Sequence, residues 1–184
     1  MEASFQTRNI YFEVDSTKVL AESNEGNNIS PPLPTSAFNN VTMNIAFFDA
    51  GETNIIDPDG YFVALTDTNF RNTSLTAKIV QNNKGNRLGL ASSTFQGETL
   101  KRAGKNLKLG KEVVGTVSGG KEAQPLTIQF NDNGTNLLIN QVLKNLTFTS
   151  KKNVPGTRTY IVDLNTANSH TFSSGIKAIG VNPR

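Results

Sequence analysis

Few residues of this chain are of the types that do covalent or metal chemistry. Its 184 residues include no cysteine and one histidine, His170. Without thiols there is no disulfide, no thiol nucleophile and no iron–sulfur cluster. One histidine cannot make a two-histidine metal site, and with no cysteine the ordinary zinc ligand sets are excluded as well. His170 is also the only imidazole base for a serine or threonine nucleophile. It lies in Asn168-Ser169-His170-Thr171, and no Gly-x-Ser-x-Gly elbow accompanies it. Gly115 to Gly120 is glycine-rich but lacks the Lys-Ser/Thr of a phosphate loop. Carboxylates remain, 15 in all. Two of them at the right separation suffice for glycoside hydrolysis, and chain spacing alone neither supports nor removes that option. Asp57 and Asp59 share the turn Asp57-Pro58-Asp59-Gly60, and Asp132 lies between Asn131 and Asn133. Both clusters fit Asx-type turns and caps better than metal loops, and neither has the spacing of an EF-hand.

Composition narrows the field further. Hydrophobic residues are 36%, enough for a core, while charged residues are only 18%. The remaining polarity is neutral, with 23 Asn, 20 Thr and 13 Ser. That mixture suits short strands joined by polar turns. The net charge is +3. Lys101, Arg102, Lys105, Lys108 and Lys111 form its one loose cluster, a candidate contact for an anionic polymer. No aromatic side chains are interleaved with these cations, so a nucleic-acid platform is not expected and a solvated face is the simpler reading. No run of 18 apolar residues is present, so no membrane span is expected. Met1 to Gln6 lack the basic start and apolar core of a signal peptide.

The elements that would position these residues are mostly strands. Phe5 to Val14 reads as a strand with Ile10, Phe12 and Val14 on one face. Asp15 to Asn40 then turns polar around the stiff Pro31-Pro32-Leu33-Pro34. We therefore expect an N-terminal strand and Pro/Asn-rich arm over 1–40 and a domain over 41–184. A polar arm of this kind is held only by packing onto its own domain or onto a neighbouring chain. Within the domain, alternation marks Val41-Met43-Ile45-Phe47, Leu75-Ala77-Ile79, Leu126-Ile128-Phe130, Tyr160-Val162-Leu164 and Lys177-Ile179-Val181. Shorter candidates are Tyr61 to Leu65, Leu107 to Leu109 and Val113 to Val117. Thr135 to Lys144 differs, with a capping threonine and Leu138, Val142 and Leu146 at helical spacing. The pattern predicts an all-β antiparallel sandwich with one short helix crossing between two sheets and an extended N-terminal arm.

Several blocks resemble the cadherin-like β-sandwich repeats of large bacterial surface proteins of adhesin type. Pro125 to Asn131 (PLTIQFN), the helix after Thr135, Leu143 to Ser150 (LKNLTFTS) and Arg158-Thr159 follow in that family's order. Upstream, Asn86 to Leu90, Gly104 to Gly110 and Gly115 to Gly120 resemble its strand and hairpin blocks. Ile55 to Asp59, Thr66-Asp67, Asn69-Phe70 and Ser74 to Thr76 resemble its entry strands, and Val181-Asn182-Pro183 its exit. The resemblance covers roughly residues 41–184 and implies a cadherin/immunoglobulin-like sandwich. It implies an extracellular, cell-surface or matrix location, no enzymatic activity, and Ca2+ where modules meet. Asp49 and Asp67 fall on the family's acidic positions, with Asp57 and Asp59 as further candidates. Thr166 and Asn168 replace two of the family's acids, which lowers the carboxylate count on which calcium affinity depends.

These readings converge on a non-enzymatic structural or adhesive module. Its expected partners are copies of itself, neighbouring surface modules or a polysaccharide. In the sharper form, the strand carrying Ile10, Phe12 and Val14 adds to a neighbour's sheet edge and builds a filament by self-assembly. The alternatives are a carbohydrate-binding module and, last, an enzyme acting on acidic polysaccharide with Lys101 to Lys111 as clamp. The first has no Trp and three Tyr from which to build a sugar platform, and the second lacks a base.

Overall fold

The structure is a computed structural model that describes residues 37–39, 45–63, 70–81, 84–151, 155–165 and 171–183. The N-terminal strand with Ile10, Phe12 and Val14, the arm before residue 37, Val41, Met43, Asp67, Thr166, Asn168 and His170 lie outside those residues. In chain order the strands are β1 (Ala37–Asn39), β2 (Ile45–Asp49), β3 (Thr53–Ile55), β4 (Tyr61–Val63), β5 (Ser74–Ile79), β6 (Arg87–Leu90) and β7 (Ser93–Phe95). They continue as β8 (Glu98–Ala103), β9 (Asn106–Leu109), β10 (Glu112–Ser118) and β11 (Leu126–Phe130). The helix α1 (Asn136–Lys144) precedes β12 (Leu146–Thr149), β13 (Gly156–Asn165) and β14 (Thr171–Asn182).

Nine strands form one sheet in the order β2-β14-β13-β5-β11-β10-β9-β8-β7, and β3-β12-β6 form a second. A short ribbon pairs β1 with β4, so Ala37 to Asn39, within the stretch read as arm, lie against Tyr61 to Val63. The fold is all-β and sandwich-like, with one short helix. Pairing is antiparallel except at β14–β2, which run parallel with Gly180 opposite Phe47. The helix does cross between the sheets, leaving β11 in the large one and entering β12 in the small one.

The inner face follows the period of two that extended backbone imposes. Leu75, Ala77 and Ile79 of β5, Leu126, Ile128 and Phe130 of β11, and Tyr160, Val162 and Leu164 of β13 are all buried. They meet Leu146 and Phe148 of β12 and Leu88 of β6 in one hydrophobic core. From α1, Leu138, Ile139, Val142 and Leu143 enter the same core. Thr135 Oγ1 accepts from the Leu138 backbone N–H at 3.1 Å and caps the helix. Leu146, expected on the helix, instead begins β12, because Asn145 closes the last turn. The phase of β2 is also opposite to expectation. Ala46 and Phe48 are half-buried, whereas Phe47 is 67% exposed. Phe48 stacks on Phe148 with ring centroids 6.2 Å apart. Phe47 lies outside over Gly180, where a Cβ would come within 2.6 Å of its ring.

Candidate functional site

The turn after β3 positions the first residue of the site. Gly60 N–H donates to the Asp57 carbonyl at 3.2 Å, closing the Asp57-Pro58-Asp59-Gly60 turn. Pro58 and Asp59 point outward and are exposed. The Asp57 side chain does not cap its own turn, which corrects the Asx-type reading at this residue. It turns inward and is 1% exposed, with Oδ1 accepting from Lys177 Nζ. Lys177 is on β14 in phase with Ile179 and Val181 and, like them, is buried. Tyr160 is its direct cross-strand neighbour on β13 and is fully buried.

This cluster is short of partners. Among the described residues, neither Asp57 Oδ2 nor the Tyr160 hydroxyl has a hydrogen-bond partner. Burial pushes the Asp57 carboxyl above its ordinary range, against the hydrogen bond and charge of Lys177, while nearby Asp59 adds to the rise. Burial also holds the Tyr160 phenol well above its ordinary value, with the charges of Asp57 and Asp163 acting in the same direction. Arg158, two residues earlier on β13, is fully buried too, and burial lowers its guanidinium. The sequence did carry a signal for the pair. Lys177 stands in phase with two apolar residues, where a cation needs an anion to be buried at all.

The other candidate residues are dispersed. Asp49 is exposed at the end of β2, where Asn182 Nδ2 donates to its Oδ1 at 3.4 Å. Asp59 is exposed in its turn, and Asp67 lies outside the described residues. No group of three or more His, Cys, Asp or Glu side chains is placed to hold a metal ion among the described residues. Near Asp132 it is Asn131 that makes the Asx-type turn, its Oδ1 accepting from Asn133 N–H at 2.9 Å.

The basic cluster spreads along a meander. Lys101, exposed, and Lys108, half-buried, face each other across β8 and β9, a like-charge pairing that is repulsive. Lys105 is in the β8–β9 turn and Lys111 in the β9–β10 turn, at opposite ends of the intervening strand. Arg102 points its Nε–H at the Gly104 carbonyl, 2.9 Å away. A shallow open depression lined by Gly85, Asn86, Arg87, Lys121 and Glu122 lies elsewhere, at the β6 side.

The large sheet has two ends, and they differ. At β7, Gln141 of α1 donates to the Ser93 hydroxyl at 3.1 Å and to the Thr94 carbonyl at 3.3 Å, so the helix covers part of that edge. At β2, no strand pairs on the outer side among the described residues. Phe47 and the 53%-exposed Ile176 of the neighbouring β14 present apolar surface there.

These features make up an all-β, sandwich-like domain with a buried Asp57–Lys177 pair and a large sheet that ends at β2 among the described residues. No family model and no curated protein matches the chain. Among solved structures, the N-terminal domain of PorA is similar at a TM-score of 0.28 and 9% identity, over 74% of this chain and 87% of that one. A likeness at that score carries no argument about fold or function. No helix of the described residues is long and apolar enough to cross a membrane.

Proposed function

We propose that this chain is a non-enzymatic structural or adhesive module of the bacterial cell surface or extracellular matrix, and that it assembles with copies of itself. The observation that carries this reading is the β2 edge, which ends the large sheet with no strand on its outer side among the described residues and has Phe47 exposed beside it. Such an edge is a template for another strand unless a protein blunts it. The opposite edge is partly covered by Gln141, so the two ends are not equivalent. A donated strand with Ile10, Phe12 and Val14 on one face fits an acceptor of this kind. Because donor and acceptor are different surfaces, the contact is heterologous and builds fibres when its rotation does not close into a ring.

The cadherin-like assignment belongs to the same proposal. What supports it is the order of its blocks on the elements. PLTIQFN contains β11, the helix follows, and LKNLTFTS runs into β12. A sugar platform gains less support, since Tyr160 is buried and Tyr61 half-buried, while stacking needs an exposed ring.

Electron microscopy of the purified protein tests the reading, with and without a calcium chelator. Fibres that persist in chelator and vanish when residues 1–30 are removed are the expected result. Fibres that form equally well without residues 1–30 sink strand donation. Fibres that dissolve in chelator point to metal-bridged contacts at carboxylates such as Asp49 and Asp67. A monomer under all conditions retires self-assembly.

A further inference from the structure

Lys177 and Asp57 lie 120 residues apart in sequence and meet in the protein interior. Their side chains are 8% and 1% exposed. As an ion pair they are poorly served. A buried pair repays its desolvation only when its remaining protons and lone pairs are hydrogen-bonded. Among the described residues the ammonium has one hydrogen-bond partner, Asp57 Oδ1, and Asp57 Oδ2 has none. The Tyr160 hydroxyl, beside Lys177 in register, has none either. Asp59 is on the same turn but exposed. Asp163 on the next part of β13 is engaged with Lys78 at 3.4 Å and with Ser174. Among the described residues no second charged group is hydrogen-bonded to the pair.

We propose that Asp57 and Lys177 condense to a side-chain amide, covalently tying the turn after β3 to the last strand. The step balances without any added reagent. A proton passes from the ammonium to the carboxylate, giving an amine and a carboxylic acid, and burial favours the uncharged acid at Asp57. The Lys177 nitrogen lone pair attacks Asp57 Cγ and forms the C–N bond. The Cγ–OH bond breaks, and that hydroxyl leaves with a proton from the nitrogen as water. In solution the reaction is held back because both groups are ionised and are not held together. Here the fold supplies the orientation. Exclusion of water disfavours the return step. The product carries no charge, so the burial that is costly for the pair suits the amide. The link does not depend on the adhesive reading, although a module under tension benefits from it.

Intact mass spectrometry of the full purified chain, unfolded before injection, tests this directly. The expected mass is one water below that of the expressed sequence. Fragmentation is expected to show the peptides holding Asp57 and Lys177 joined, with no tryptic cleavage after Lys177. Asp57→Ala and Lys177→Arg are each expected to restore the full mass, and Asp59→Ala to leave the loss in place. A cyclic imide at Asp59-Gly60 also loses one water. Its signature is the reverse, a loss that survives Lys177→Arg and disappears in Asp59→Ala, and that result overturns the proposal. A wild-type chain at its full sequence mass overturns it as well. The joined fragment is read on the wild-type protein, so the outcome does not require the variants to fold.

Discussion

Lys177 illustrates how chain spacing can place a residue without naming its partner. Its phase with Ile179 and Val181 puts it on the inward face of the last strand, and there it is. What chain spacing cannot supply is its partner, because Asp57 is 120 residues away. Removing either member strands the other in the core. We therefore expect Asp57→Ala and Lys177→Met each to cost about 3–5 kcal/mol. The double change Asp57→Leu with Lys177→Met is expected to cost clearly less than their sum, as read by urea unfolding. Tyr160 gives a pH dependence. Its folded-state phenol is held above the ordinary 10.0. Below that pH both states keep the proton and its contribution to stability is fully present. Above it the unfolded chain releases the proton first, so stability falls as pH rises. Tyr160→Phe is expected to make that alkaline decline shallower in thermal melts taken across the range.

At the scale of elements, legibility depends on how much of a strand faces the core. β5, β11 and β13 alternate fully because both neighbours and the opposing layer bury one side. β8 is not legible in this way. In Glu98 to Ala103 only Leu100 is buried, so the stretch looks like a patch of charge. Its hairpin turn is Gln96-Gly97, with φ of +51° and +80°, and glutamine is an unusual residue for a left-handed position. The helix is legible because its cap and its apolar spacing are both local. Thr135→Ala is expected to cost about 1 kcal/mol in urea unfolding. Asn140 adds something no pattern shows. Its side chain accepts from Phe62 N–H at 2.5 Å and donates to Phe62 O at 3.0 Å, so the helix supplies β4 with an amide partner. At the end of β10, Gly120 has φ +90°, and a Cβ there would sit 2.5 Å from the Leu88 carbonyl. Its own carbonyl accepts from Leu88 N–H at 2.7 Å, linking the loop after β10 to β6 of the small sheet. Gly120→Ala is expected to destabilise by about 1–3 kcal/mol, measured the same way.

At the scale of the whole molecule, the decisive feature is an asymmetry between sheet ends. One end is partly covered by Gln141, while the other carries exposed Phe47 and no pairing strand among the described residues. If assembly uses the β2 edge, Phe47→Lys is expected to reduce association by placing a charge at the acceptor. Light scattering checks this, with unchanged circular dichroism showing that the fold is intact. A charge reversal at Lys101 or Lys108, on the meander toward the other end, is expected to leave association unaltered.

Whatever depends on residue type and short-range period is already written in the chain. Cysteine is absent and imidazole reduced to one residue, which removes whole classes of catalysis. Most of the core strands, the polar turns and the helix α1 are readable because backbone geometry imposes its period on neighbours in the chain. Long-range packing sets everything that relies on meetings between distant segments. It fixes the parallel pairing of β2 with β14 and turns Phe47 outward over Gly180. It turns Asp57 away from its own turn and onto Lys177. Each of these depends on a partner contributed by a remote strand, and a one-residue change of phase exchanges the two faces of a strand without altering its composition.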